Sequence, residues 1–220
     1  MKVYILLFTL LFFFSCNTAK EEQLSDELKV IHRIQKKLFP GGGQIRYPRI
    51  TIAIQEHGIT SLAIEGEARG GLEFDELNSL IHLQEVSLPG LGLSAFPKID
   101  SLKDLRNLSL EFNLLRKVSF PENIKIDRLN LFANQVEQIK FGKNSSIRTL
   151  ILANNHLKVI DSSINHLRGL QFLHINDNHI TDIDLKDLPD LEVVDCRNNP
   201  IRDTANIKSR HRGTGIKFLF

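Results

Sequence analysis

Residues 147–157 read Ile-Arg-Thr-Leu-Ile-Leu-Ala-Asn-Asn-His-Leu. Leu150 and Leu152 alternate at period two, the signature of a strand with one buried face, and Asn155 follows at a fixed offset. The same offsets return in LQEVSLPGLGL from Leu83, LRNLSLEFNLL from Leu105, IDRLNLFANQV from Ile126, LQFLHINDNHI from Leu170 and LEVVDCRNNPI from Leu191. Successive copies start 22, 21, 21, 23 and 21 residues apart, so the stretch 83–204 is an internal repeat.

One strand and a turn cannot bury their own apolar side. Neighbouring copies must therefore stack in register, share one core, and line their strands up as a parallel sheet. Asn113, Asn134, Asn155, Asn178 and Asn199 fall at one position of the repeat, where an amide can donate to and accept from buried turn backbone, so they read as a structural asparagine ladder. The first copy departs, with Leu91 at that position. Cys196 takes an inward strand position held by leucine or isoleucine elsewhere and reads as a small buried hydrophobe.

After each turn a second apolar set brings the chain back. Phe96, Ile99 and Leu102, and again Ile160, Ile164 and Leu167, are spaced for a helical or 3₁₀ turn. Val118 with Phe120, Ile139 with Phe141, and Ile183 with Leu185 are spaced for extended or 3₁₀ backbone. The return side is expected to be thin and mixed.

The spacing L-x-x-L-x-L-x-x-N-x-L resembles the leucine-rich repeat family, with short repeats of the kind seen in bacterial surface proteins such as internalins. The resemblance implies an α/β solenoid: a horseshoe with a parallel concave sheet, a mixed 3₁₀, helical and extended convex side, and caps at both ends.

Ahead of the array, residues 1–15 set Lys2 before an uncharged apolar run that ends just short of Cys16. This reads as a secretory signal, since the 12 residues from Val3 to Phe14 fall short of the roughly 20 that span a bilayer. Ser15 before Cys16 resembles the bacterial lipoprotein cleavage box, although Phe13 and Phe14 depart from its usual residues. The resemblance implies cleavage before Cys16, a palmitate-type lipid on its sulfur, and a place on the bacterial cell envelope, at the outer membrane or cell surface. Without Lys2 the chain carries 27 basic and 26 acidic residues, a near-neutral balance that asks for no nucleic acid partner.

Thr18 and Glu21 have capping-box spacing, and Leu24, Leu28, Ile31, Ile34 and Leu38 follow along one helical stripe that the glycines after Pro40 end. This predicts an N-terminal cap helix. Residues 50–54 and 59–64 flank Gln55-Glu56-His57-Gly58 as a hairpin, whose second arm matches the repeat template. The domain plan is then a signal peptide at 1–15, lipidated Cys16 with cap helix and hairpin at 16–58, repeats at 59–204, and a C-terminal cap strand at 205–220. Within the repeats a degenerate copy fills 59–82 and six clear copies follow from 83. The basic residues Lys208, Arg210, His211 and Arg212 are expected on a solvated face.

Catalysis finds no foothold. Ser109, His174 and Asp195 share an outward column, but Ser109 lies three strands from His174, about 14 Å at the usual strand spacing, where a nucleophile and base need about 3 Å. His156 and His179 follow ladder asparagines in adjacent repeats, with His166 on a loop between them; two histidines do not make a zinc constellation, so no metal or cofactor is assigned. The outward positions instead collect Phe132, Ile151, Phe172 and Val193, with Phe112 beside them and Arg128, Asn130, His174, Asp195 and Arg197 around them. An apolar centre with a polar border suits a protein–protein interface. The reading is a membrane-tethered binding module without enzymatic chemistry, its family resemblance implying adhesion or host interaction. The alternatives are a structural envelope component that self-associates, as a homodimer for instance, and a zinc-dependent binding protein.

Overall fold

A computed structural model describes residues 2–4, 18–38, 49–65, 75–185 and 187–220. Cys16, most of the signal segment, the glycines after Pro40 and the loop holding Gly70 and Gly71 lie outside the described residues. No helix among those described is long and apolar enough to cross a membrane.

The chain builds one ten-stranded sheet in the order β1 (Lys2–Tyr4), β2 (Arg49–Gln55), β3 (Gly58–Glu65), β4 (Glu85–Ser87), β5 (Asn107–Ser109), β7 (Lys125–Asn130), β9 (Ser146–Ile151), β10 (Phe172–His174), β11 (Val193–Asp195) and β12 (Lys217–Leu219). The first two pairings are antiparallel, and every later one is parallel. Registry follows the leucines: Leu62, Val86, Leu108, Leu129, Leu150, Leu173 and Val194 stand opposite one another strand by strand. All are buried in one continuous core. A slip of one residue would turn that whole row to solvent, so the apolar pattern fixes the register.

The asparagines explain how the turns stack. Asn155 donates from Nδ2 to the carbonyls of Leu131 in the preceding repeat (2.9 Å) and Leu152 in its own (3.0 Å), while its Oδ1 accepts from the Val136 amide (2.8 Å). Asn113, Asn134, Asn178 and Asn199 repeat the arrangement. Each amide thus serves the copy before it as well as its own. That is why the first copy tolerates Leu91: its backbone groups at Leu88 and Leu93 are met by Asn113, and Leu91 itself is buried.

The return side is mixed. β6 (Lys117–Phe120) and β8 (Gln138–Phe141) pair as a small parallel sheet, and 3₁₀ turns occupy Asp75–Ser79 and Ser162–His166. Around Phe96, where the spacing predicts a helical or 3₁₀ turn, the backbone is irregular until a 3₁₀-type turn closed by Leu102 N–H on the Ile99 carbonyl (3.0 Å). Phe96 packs edge-on to Phe120, and Phe120 against Phe141, at 6.3 Å between centroids in each case, so aromatic contact across repeats takes the place of helical periodicity.

Both ends are covered. α1 (Thr18–Leu38) packs on β3 and the first 3₁₀ turn, and the buried Glu27 accepts the Ile59 amide at 2.7 Å. At the other end Lys208, Arg210 and Arg212 are exposed as expected, and the structure corrects the expectation for His211, which is buried, and for the lone strand, which a helix precedes. α2 (Thr204–Arg210) forms there, its first turn capped by Asp203 accepting the Asn206 amide. His211 is only 6% exposed, with Nδ1 2.8 Å from the Ile207 carbonyl and Nε2 2.9 Å from that of Leu185. Arg210 pairs with Asp182.

Candidate docking surface

Residues between the buried leucines point out from the sheet, so the strands themselves lay out the surface. Thr149, Phe172 and Val193 are neighbours across β9, β10 and β11, as are Asn130, Ile151, His174 and Asp195 one step along β7 to β11. Phe132 follows β7, and Phe112 approaches it edge-on, 5.4 Å between centroids at 88°. The apolar residues therefore run as a diagonal: Phe112 and Phe132 where β5 and β7 end, Ile151 midway, Phe172 and Val193 on the last repeats. Ile151, Phe132, Phe172 and Val193 are half-buried, and Phe112 is 57% exposed.

Phe112 carries a second peculiarity. Its φ is +58°, a left-handed conformation that the position demands in every clear copy, where Gly90, Ala133, Asn154, Asp177 and Asn198 also have positive φ. The turn needs it so that the next residue, the ladder asparagine, can face inward. Glycine, asparagine and aspartate adopt it at small cost, whereas a side chain with bulk at Cβ is strained there. Among these six positions only Phe112 has a large side chain.

The polar residues assigned to the border divide into two groups. Arg128 and Arg197 are exposed and His174 is half-buried. Asn130 and Asp195 lie below the surface: they are buried, and both work internally. Asn130 donates to Glu111 Oε2 (2.6 Å) and Ser109 Oγ (3.3 Å), and its own oxygen accepts the Phe132 amide (3.1 Å), which fixes the turn that presents Phe132. Asp195 accepts from Arg197 Nε (2.9 Å) and Nη2 (2.7 Å), a forked pair that orients the guanidinium. Those bonds hold the Asp195 carboxyl below the usual carboxylate range against the effect of burial. Burial also holds His174 below the ordinary imidazole value; Asp195 opposes that shift, and Arg128 and Arg197 add to it.

Leu114, 44% exposed beside the ladder, belongs to the same corner and escapes the sequence pattern, because the position after the ladder asparagine is polar or proline in the later copies. Glu111 escapes as well; its link to Asn130 is visible only once β5 and β7 are paired.

Other candidate chemistry stays dispersed. Ser109 and His174 are separated by β7 and β9. His156 and His179 stack at 5.9 Å and 14°, exposed on the turn edge, while the His166 ring meets the Phe141 carbonyl at 3.0 Å. No three histidine, cysteine or acidic residues among those described come together as a metal group. Cys196 is buried, and burial, with Asp195 nearby, pushes its thiol up to about 11. It behaves as packing, with Sγ 3.0 Å from the Leu219 carbonyl.

Comparison with known proteins finds leucine-rich repeats in this chain. The family described as leucine-rich repeats (two copies) matches at residues 145–186 and 168–209. Lumican of Rattus norvegicus is 30% identical over 105 residues, covering 46% of this chain and 31% of lumican. A leucine-rich repeat protein of Acanthamoeba polyphaga mimivirus is 27% identical over 129 residues, 58% of this chain and 29% of its own. The chain spans under a third of the length of these curated relatives. Among solved structures, a leucine-rich repeat protein of Leptospira interrogans aligns at 22% identity over 73% of this chain and 48% of that one, with TM-score 0.46. An internalin (inlF) of Listeria monocytogenes aligns at 18% identity over 73% and 59%, with TM-score 0.32. The fold is a leucine-rich repeat solenoid with a mostly parallel sheet and few helices.

Proposed function

We propose that this chain is an exported lipoprotein, anchored to a bacterial cell envelope through an acyl chain on Cys16, that captures a protein partner on the outward face of its sheet. The observation that carries the docking role is Phe112, a large ring kept exposed on strained backbone where sister repeats place glycine, alanine, asparagine or aspartate. The repeat imposes that conformation on the position, so a small residue would relieve the strain, and a large exposed ring kept in its place supports a docking role. Phe132, Ile151, Phe172 and Val193 extend the patch, and the forked Arg197 and the Arg128 side chain border it. A rigid scaffold suits the role, because a preformed sheet loses little entropy when a partner docks. Anchored at Cys16, with α1 beginning at Thr18, the module would stand close to its membrane. Cleavage before Cys16 would also remove β1 and leave β2 as the edge strand. Adhesion to a host or envelope protein is the use that fits such an exposed position.

The test places a photo-crosslinking phenylalanine analogue at 132, at 172 and, as a control, at the exposed Val159 outside the patch. One polypeptide captured from 132 and 172 and absent from 159 supports the docking face; equal capture at all three positions, or none, removes it. A product of twice the chain's mass would replace the receptor reading with self-association. Labelling with a palmitate analogue that is lost in Cys16→Ser checks the anchor, and labelling retained in that variant excludes it.

A further inference from the structure

On the flank where the strands begin, the repeats enclose a groove of about 480 Å³ that the docking face does not use. Lys103 and Arg106 precede β5, Lys125 opens β7 and Arg148 lies in β9, so four cations line three successive repeats, whose strands lie about 10 Å from first to third. Two carboxylates, Asp127 and Asp190, share the lining. The groove thus holds an excess of two positive charges, as much as the whole chain's net of +2.

These charges are left unneutralised. Lys103, Arg106, Lys125 and Arg148 form no ion pair with a described residue. Arg106 is nonetheless held in place: its Nη1 donates toward the carbonyls of Leu105 (3.0 Å), Lys103 (3.3 Å) and Lys125 (3.5 Å). Neutral carbonyls orient a guanidinium without cancelling its charge, so Arg106 is preorganised for an anion.

We infer that this groove binds a linear polyanionic polysaccharide, one bearing repeated sulfate or phosphate esters. Cations on successive repeats match a ligand whose charges repeat along its length, and a groove crossing several repeats fits a chain better than a single ion. None of the lining residues is aromatic, which denies bases the stacking platform that single-stranded nucleic acid needs. Cations set in a line across successive repeats follow a linear ligand better than the face of a lipid bilayer. Asp190, preceding β11, closes the far end with the opposite charge and gives the groove a direction. The inference is independent of the docking face and of the lipid anchor.

The full chain is titrated with a heparin-derived decasaccharide, with inorganic polyphosphate and with phosphatidylglycerol vesicles, at low and at physiological salt. Binding of either soluble polyanion is expected, weakening as salt rises. The two soluble probes separate sulfate from phosphate recognition. Lys125→Glu with Arg148→Glu is expected to lower that affinity by at least about tenfold. Asp127→Asn and Asp190→Asn are each expected to raise it by roughly twofold to fivefold, a gain that a damaged fold cannot imitate. An unchanged melting temperature identifies the variants that keep their fold. Three results would each overturn the site: affinity indifferent to Lys125, Arg148, Asp127 and Asp190 alike, affinity insensitive to salt, or vesicles bound while neither soluble polyanion is.

Discussion

At Phe112 two effects of similar size oppose one another. The left-handed backbone costs a bulky residue about 1–2 kcal/mol, and the edge-to-face contact with Phe132 returns about 0.5–1.5 kcal/mol. Asn154 and Asn198 already hold the same conformation in sister repeats. Phe112→Asn should therefore change unfolding free energy by less than about 1 kcal/mol while weakening partner capture, as denaturant titration beside a binding assay would register. A loss of several kcal/mol would mean that the ring is structural. His174 sets a different prediction at this scale. Its folded-state value lies below the ordinary one, so as pH falls the unfolded chain takes up the proton first. Stability tied to neutral His174 is complete above about pH 6.5 and is lost as pH falls through the lower folded value. Asp195 acts in a lower window: held down by Arg197, it stabilises above about pH 4 and stops doing so in stronger acid. His174→Gln should flatten the fall in urea midpoint between pH 7.5 and 5.5 relative to wild type and move the acid limb little, since Arg197 is the main hold on Asp195 and His174 a minor one. An unaltered slope would assign that fall to other histidines. The sequence could name His174 as an outward residue, because the strand period decides direction; Phe112 has the parity of the inward leucines, and its exposure comes from the left-handed turn after β5. It could not tell that Asn130 and Asp195 are consumed internally, since their partners Glu111 and Arg197 depend on rotamers and turn geometry.

Elements divide by whether they recur. The parallel strands were legible because five sister copies repeat the same offsets, so an irregularity in one, such as Leu91, is outvoted by the others. The caps occur once each. α1 was readable from its long apolar stripe, but α2 is seven residues with only Ile207 buried, too short to display a helical period. His211 was hidden for a related reason: it faces inward because the Ile207 carbonyl and the Leu185 backbone, whose N–H donates to Nε2 at 3.1 Å, hold its ring, and backbone groups leave no trace in a residue pattern. The N-terminal cap is fastened through the hairpin turn. Gly58 has φ +122°, and a Cβ there would stand 2.5 Å from Glu27 Oε2, the atom that accepts the Ile59 amide. Gly58→Ala must displace that buried carboxylate. The loss of a charged hydrogen bond, with strained backbone in addition, should cost about 2–4 kcal/mol. Since α1 meets the solenoid over β3 and the first 3₁₀ turn, the damage should be local, seen as faster hydrogen exchange across α1 and new tryptic cleavage at Lys29 or Arg33. Unchanged protection of α1 would show that the helix is held by its apolar stripe alone.

For the whole molecule, the decisive property is that each repeat touches only its neighbours. Stability in such a solenoid is close to a sum of repeat terms and interface terms, so an uncovered end frays inward and need not unfold everything. The C-terminal cover is compact. Ile207 of α2 is fully buried, the His211 ring lies 5.1 Å from that of Phe218, and the Cys196 amide donates to the Leu219 carbonyl at 2.8 Å. A chain ending at Asp203 loses all three contacts and uncovers Ile183, Leu185 and Cys196. The Asn199 amides, already half-exposed, would have little left to hold. Hydrogen exchange followed by mass spectrometry should then find β11 and β10 unprotected, β9 intermediate, and β4, β5 and β7 close to their protection in the full chain. A flat loss of protection from β4 to β11 would mean that the molecule folds as a single unit, in which case the shared leucine core, and not the caps, sets how far a wound at one end is felt at the other.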